Sequence, residues 1–231
     1  NDTLKFNNCC LDVRDSGIVK ARKVVFTALP DADSIWHGIK FENSRADTSV
    51  LDSCVIERAK GSGKRGIEVT NSRVRIFNSS ILNNEKGIYV ASASNLKLIN
   101  NFVSRNKYGI QAFDANPDSL YIWHNAIMGN DSAGMITYPI YPYINADSNY
   151  WGDTTGPYEP STGLPDSNKY GQGDSVGGYI YYRPWLKSFF NPIGSIAFNG
   201  NEPFANSPYV CLNLESCNPN SIDSLPADSM M

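Results

Sequence analysis

Leu98-Ile-Asn-Asn101-Phe-Val103, followed by Gly109-Ile110, is one copy of a motif that recurs along the chain. Leu51-Asp-Ser-Cys54-Val-Ile56, Ile76-Phe-Asn-Ser79-Ser-Ile81 and Ile122-Trp-His-Asn125-Ala-Ile127 share its register. Each is followed by a Gly-apolar step, at Gly66-Ile67, Gly87-Ile88 and Gly134-Met135. With Gly38-Ile39 included, the glycines stand 28, 21, 22 and 25 residues apart, the period of a solenoid rather than of a globular α/β domain.

Within each copy the alternation has period two, as in Val74-Arg-Ile76 and Leu96-Lys-Leu98, and the next apolar residue follows Ile76 or Leu98 by five positions. One continuous strand would put those positions on opposite faces, so a bend must divide two short strands. Each repeat then reads strand, bend, strand, turn, glycine, strand. No segment of twelve residues keeps a helical period. The expected fold is all-β: a single-stranded parallel β-helix with three short sheets and an irregular C-terminal cap.

Stacked coils lie about 4.8 Å apart, so equivalent side chains form ladders. Asn101 over Asn125, and Asn84, Asn106 and Asn130 at the next turn, are expected to hydrogen-bond along the axis as stacked amides do. Cys54 and Ser79 share the first of these columns, so Cys54 reads as a buried small residue. The recurring glycine reads as a corner residue that permits positive φ. It is not a phosphate loop, because neither GxGxxG nor GxxxxGK[ST] precedes a helix.

Composition narrows the function. The 231 residues carry 41% hydrophobic side chains, enough for a real core, and a net charge of −3, which argues against a nucleic-acid surface. No apolar run approaches the length that spans a bilayer, so membrane insertion is not expected. Five cysteines without CxxC spacing do not make a zinc site or a disulfide scaffold; Cys211 and Cys217 are the disulfide candidates.

The repeats, with Ile35-Trp-His-Gly-Ile-Lys-Phe41, resemble the right-handed parallel β-helix proteins of the pectate-lyase-like superfamily. Asn149-Tyr-Trp-Gly-Asp153, Gly156-Pro157, Gly171-Gln-Gly-Asp174 and Tyr182-Arg-Pro-Trp-Leu186 are similar to the closing element found after the last coil of bacterial members. Residues 1–148 are therefore expected to form coils, 149–190 the cap, and 191–231 an Asn/Pro/Ser-rich extension or linker. Trp151, Pro157, Tyr182 and Trp185 would cover the open end, with an aromatic sugar platform as the alternative role. Leu4 to Val25 contains the strand-like pieces Gly17-Ile-Val19 and Lys23-Val-Val-Phe26 but no N-terminal cap, so further coils are expected upstream.

The resemblance implies that polysaccharide lies on the outer face of one parallel sheet. With Ile67 and Val69 inward, one outward column is Lys40, Glu68, Tyr89, Gln111 and Ile136, and a second is His37, Arg65, Lys86, Tyr108 and Ala133. Arg65, Glu68, Lys86, Tyr89, Tyr108 and Gln111 are the candidate carbohydrate-binding residues, offering cations, phenols and amides to sugar hydroxyls and carboxylates. The plain alternative is an ordinary solvated β surface.

No residue stands out as catalytic. A lyase needs a base and a cation or Ca²⁺ beside the uronate carboxylate, parts that Arg65, Lys86 and Tyr108 could take. A hydrolase needs two carboxylates roughly 5 to 9 Å apart, for which Glu68 and Glu42 are the nearest candidates. Asp114 stands alone, which gives no calcium cluster, and His37 and His124 fall on different faces, which gives no His-based zinc site or triad. Arg73, Arg75 and Lys97 form a small basic strip on another sheet. No metal or cofactor is expected. The expected protein is a secreted or cell-surface bacterial module of a larger protein that binds extended carbohydrate. A polysaccharide lyase on the same face is the alternative, and a periplasmic accessory β-helix without a carbohydrate role is the second alternative.

Overall fold

The structure, a computed structural model, describes residues 2–30, 35–61, 63–138, 143–160 and 167–189. Cys211, Cys217 and the 191–231 extension lie outside the described residues.

The strands come in successive coils. The first holds β1 (Asp2–Phe6), β2 (Leu11–Arg14) and β3 (Lys20–Arg22), the second β4 (Val24–Ala28), β5 (Ile39–Glu42) and β6 (Ser49–Asp52). The third holds β7 (Val55–Glu57), β8 (Arg65–Thr70) and β9 (Arg73–Phe77), and the fourth β10 (Ser80–Leu82), β11 (Lys86–Ala91) and β12 (Asn95–Ile99). The fifth holds β13 (Phe102–Ser104), β14 (Tyr108–Phe113) and β15 (Leu120–Trp123), with a 3-10 turn at Pro117–Ser119 before β15. The sixth holds β16 (Ala126–Met128), β17 (Ala133–Tyr138) and β18 (Ile144–Asn145). A last, looser passage carries β19 (Pro157–Tyr158), β20 (Gly173–Gly177) and β21 (Ile180–Tyr181).

Stacking these coils makes three main parallel sheets. Sheet A runs β1-β4-β7-β10-β13-β16, sheet B runs β2-β5-β8-β11-β14-β17-β20-β19, and sheet C runs β3-β6-β9-β12-β15. All named strand pairs are parallel, and Ile39, Ile67, Ile88, Ile110 and Met135 stack in register inside sheet B. These residues, with Ile56, Ile81, Val103 and Ile127 of sheet A and Leu51, Ile76, Leu98 and Ile122 of sheet C, fill one continuous core. The all-β solenoid expected from the repeat is the fold observed. The strand expected at Gly17–Val19 is displaced: a turn closed by Gly17 N–H donating to Arg14 O delays β3 to Lys20.

The corners hold the coils in line. Ser53, Asn78, Asn100, His124 and Ser148 all have positive φ, and each precedes a member of the column Cys54, Ser79, Asn101, Asn125, Asn149. Turning there aims the next backbone N–H along the axis, away from any partner in its own coil. Ser79 N–H donates to Asn101 Oδ1 at 2.9 Å, Asn101 N–H to Asn125 Oδ1 at 2.9 Å and Asn125 N–H to Asn149 Oδ1 at 2.8 Å. The second ladder repeats this logic, with Arg58, Asn83, Arg105 and Gly129 at positive φ before Ala59, Asn84, Asn106 and Asn130. Asn84 Nδ2 donates to Asn106 Oδ1 and Asn106 Nδ2 to Asn130 Oδ1, both at 3.0 Å. Both expected asparagine ladders are present, and the first gains Asn149.

The second ladder ends on a carboxylate. Asp174 Oδ2 accepts from Asn130 N–H at 3.0 Å and from Asn130 Nδ2 at 2.7 Å, while Oδ1 accepts from Gly129 N–H at 2.7 Å. Both oxygens face donors, which a side-chain amide could not match. Burial pushes the Asp174 carboxyl above its ordinary value, against the lowering effect of those donors.

The role expected for the recurring glycine needs correction. Gly38 alone of the five has positive φ, at 84°. Gly87 sits in ordinary strand geometry, yet a Cβ there would stand 2.6 Å from Gly109 O and 3.0 Å from Asn106 Nδ2. What excludes a side chain is the stacking distance and the ladder amide of the next coil.

Beyond Asn149 the chain crosses the end of the solenoid. Trp151 and Tyr182 are fully buried against the last coil, and Trp185 Nε1 donates to Thr154 O at 3.1 Å. Tyr150 bridges to Ala126 of sheet A, and β20 pairs with β17, so the crossing segment also extends two sheets.

Substitutions at two positions test this scheme. Gly87→Ala should destabilise by about 1–3 kcal/mol through overpacking between coils, and unchanged thermal melting would refute the close approach. Asp174→Ala should cost about 1–3 kcal/mol by stranding the Asn130 donors. Because the folded pKa of Asp174 is raised, its contribution to stability is fullest below the unfolded-state pKa and is lost as pH rises through the raised value. Asp174→Asn should therefore flatten the stability-pH curve in that acid window, and a curve parallel to the parent's would remove Asp174 from this role.

Candidate functional site

The outer face of sheet B carries the two expected columns in register except for His37, which precedes β5 and is not paired with Arg65. Arg65, Lys86, Tyr108 and Ala133 pair in succession, as do Lys40, Glu68, Tyr89, Gln111 and Ile136. Inward Ile67, Val69, Ile88, Val90 and Ile110 lock these strands to the core, so each outward side chain is set on a rigid platform. Neighbours within a column stand about 4.8 Å apart.

The face is tightly organised. Arg65 Nη1 lies 2.6 Å from Glu68 Oε2, and its guanidinium sits 4.0 Å from the centroid of the Tyr89 ring. Lys86, on the same strand as Tyr89, holds its Nζ 5.6 Å from that ring. Lys86 makes no ion pair among the described residues. It is half-buried, and burial first, then the neighbouring Arg65 charge, lower its pKa. Lys107, in contrast, is tied to Glu85 at 3.1 Å.

Gln111 departs from the expected role. It points outward in register with Tyr89 and Ile136, yet it is only 5% exposed. A side chain so enclosed is part of the floor, not a hydrogen-bonding group held out to solvent. The remaining five candidates, Arg65, Glu68, Lys86, Tyr89 and Tyr108, are half-buried and gather in one patch.

The hydrolytic pair considered from the sequence is not assembled for catalysis. Glu42 pairs across the sheet with Thr70, not with Glu68, and it binds Lys40 at 2.9 Å and Arg14 at 3.5 Å. The hydrogen bond from Lys40 holds the Glu42 carboxyl below its usual range, and Glu68 is taken up by Arg65. A general acid needs a raised pKa, and the Lys40 hydrogen bond moves Glu42 the other way. His37 donates its backbone N–H to Cys9 O, and its ring pKa is lowered by burial and by Lys64. His124 is a corner residue at φ 54°. Among the described residues no three His, Cys, Asp or Glu side chains gather where a metal ion could sit, and Asp114 is likewise a positive-φ corner residue.

Sheet C presents a second feature that the sequence reading passed over. The basic strip continues from Arg75 to Lys97 and then to Tyr121, with Lys97 Nζ 4.8 Å from the Tyr121 ring. Tyr121 and Trp123 are 50% and 48% exposed and line a groove of about 650 Å³. Period-two alternation in Leu120-Tyr-Ile-Trp123 was the signal, since buried Leu120 and Ile122 force both rings outward.

The family model described as "right handed beta helix region" matches residues 1–139. Searches of curated proteins and of solved structures return no match. With three in-register parallel sheets, two corner ladders and a model match over more than half its length, this chain belongs to the right-handed β-helix region family.

Proposed function

We propose that this chain is a secreted or cell-surface module of a larger protein that binds extended, uronate-bearing carbohydrate on the outer face of sheet B without cleaving it. The β-helix fold is compatible with carbohydrate-related and surface modules, and the finer reading rests on Lys86. It is a half-buried cation that forms no ion pair among the described residues, carried with Tyr89 on β11 between the strands that bear Arg65 and Tyr108. A sugar carboxylate placed there would gain a charge-assisted hydrogen bond and relieve the repulsion from Arg65. Tyr89 and Tyr108 offer ring faces and phenols to adjoining sugars, and the regular coil spacing suits a linear polymer lying along the axis.

Polysaccharide lyase activity is the second reading, favoured by the same residue. A lysine whose pKa is lowered is closer to the neutral amine that abstracts the proton next to a uronate carboxylate. Binding without cleavage is preferred because the nearby carboxylates are neutralised and Arg65 is already committed to Glu68.

Incubation with uronic-acid and neutral polysaccharides, with and without Ca²⁺, separates these readings. Unsaturated product in the ultraviolet or new reducing ends would establish an enzyme. Retention without product is the expected result, and neither retention nor product would leave a scaffold. On a retained uronate glycan, Lys86→Gln should weaken binding about ten- to a hundredfold, the range of one hydrogen bond to a charged group. The Tyr89→Ala, Tyr108→Ala double variant should remain folded and lose retention. Unchanged binding by both variants would remove this face from the function.

A further inference from the structure

We propose that the groove on sheet C is a second carbohydrate site, one that takes neutral pyranose sugars by stacking on Tyr121 and Trp123. It lies on a different sheet from the Lys86 patch and stands or falls separately from the reading given above.

Two features of the fold create the groove. Between β11 and β12 the corner takes three residues, whereas between β14 and β15 the chain inserts Asp114 to Ser119, including the 3-10 turn capped by Asn116. That insertion raises Pro117 and Asp118 as one wall. In addition, β15 is the last strand of sheet C: β18 pairs with β21 in a separate two-stranded sheet, and Asn145 and Asp147 close the groove on that side. The floor is made of Lys97, Tyr121 and Trp123. Its size falls in the range of small-ligand clefts.

The lining specifies the occupant. Tyr121 and Trp123 are two residues apart on one strand, so their rings stand about 7 Å apart along the floor. Trp123 is steadied by His124, whose ring centroid is 4.2 Å away, and Tyr121 by Lys97. Fixed, half-exposed aromatic faces bind the C–H face of a pyranose and lose little entropy in doing so. Around them, the Asp118 and Asp147 carboxylates and the Asn145 amide line the groove and supply acceptors and donors for sugar hydroxyls. Asp147 is oriented by Asn145, whose Nδ2 donates to it at 3.1 Å. So polar a rim does not suit a hydrocarbon chain. Two carboxylates against the single ammonium of Lys97 disfavour uronates and sulfated sugars, so the fitting ligand is uncharged.

The test uses the full chain and its tryptophan fluorescence. Trp36 and Trp151 are buried, which leaves Trp123 as the most exposed indole among the described residues. Cellohexaose, mannohexaose and xylohexaose are titrated in turn, and at least one should give a saturable change. Trp123→Ala should abolish that change, Tyr121→Ala should weaken binding at least tenfold by calorimetry, and Lys86→Gln should leave it intact. Both aromatic positions are solvent-facing, and circular dichroism melting verifies each fold; should Trp123→Ala melt early, Trp123→Phe with Tyr121→Ala carries the test. No saturable response to any of the three sugars overturns the proposal. So does calorimetric binding that survives both aromatic substitutions, or binding lost in Lys86→Gln, which would assign it to sheet B.

Discussion

Everything in this molecule depends on one donor: the backbone N–H that each tight corner turns along the axis into a dry interior. The corner residue adopts positive φ, the β ladder is interrupted, and the next N–H has no strand to pair with. Left unpaired and buried, such a group costs on the order of 1–3 kcal/mol at every coil. The asparagine of the following coil removes that cost, since its Oδ1 accepts the N–H and its Nδ2 reaches back to a carbonyl, as Asn101 does to Ile76 O at 2.8 Å. Where the column holds Ser79 or Cys54, smaller side chains serve the less regular early coils.

Because the ladders fix coil spacing, they also fix what the outer faces can offer. Side chains on sheet B and sheet C repeat at one interval and in one register, so a surface is written as columns. The two faces have used this differently. Sheet B collects charges that pair with each other and leaves Lys86 without an ion pair among the described residues, whereas sheet C lets two rings stand clear beside a wall raised by an inserted turn. The chemistry of each face follows from which residues occupy equivalent positions, with the core unchanged beneath them.

The solenoid was legible because its signals are local and repeated. The five-residue step from Leu98 to Val103 demanded a bend, and the alignment of Asn101 with Asn125 demanded a ladder. The glycine was misread because the sequence shows that a side chain is absent without showing why: at Gly87 the obstacle is Gly109 and Asn106 of another coil. Burial of Gln111 was equally hidden, since alternation gives the direction of a side chain but not what surrounds it. Tyr121 and Trp123 could have been found from the same alternation together with the Asn116-Pro-Asp118 turn that lengthens this interval. Asp174 could not, because it stands 44 positions from its partner Asn130, outside the repeat that aligns the asparagines.

That aspartate has a meaning for how such molecules stay apart. Each asparagine in the column both receives and passes on, so the series has a direction and could in principle propagate through any further coil set on top. A carboxylate receives and passes nothing on. A second molecule offering an amide oxygen at that spot would meet oxygen and negative charge, so end-to-end polymerisation through this column is discouraged by the chemistry of a single terminal side chain.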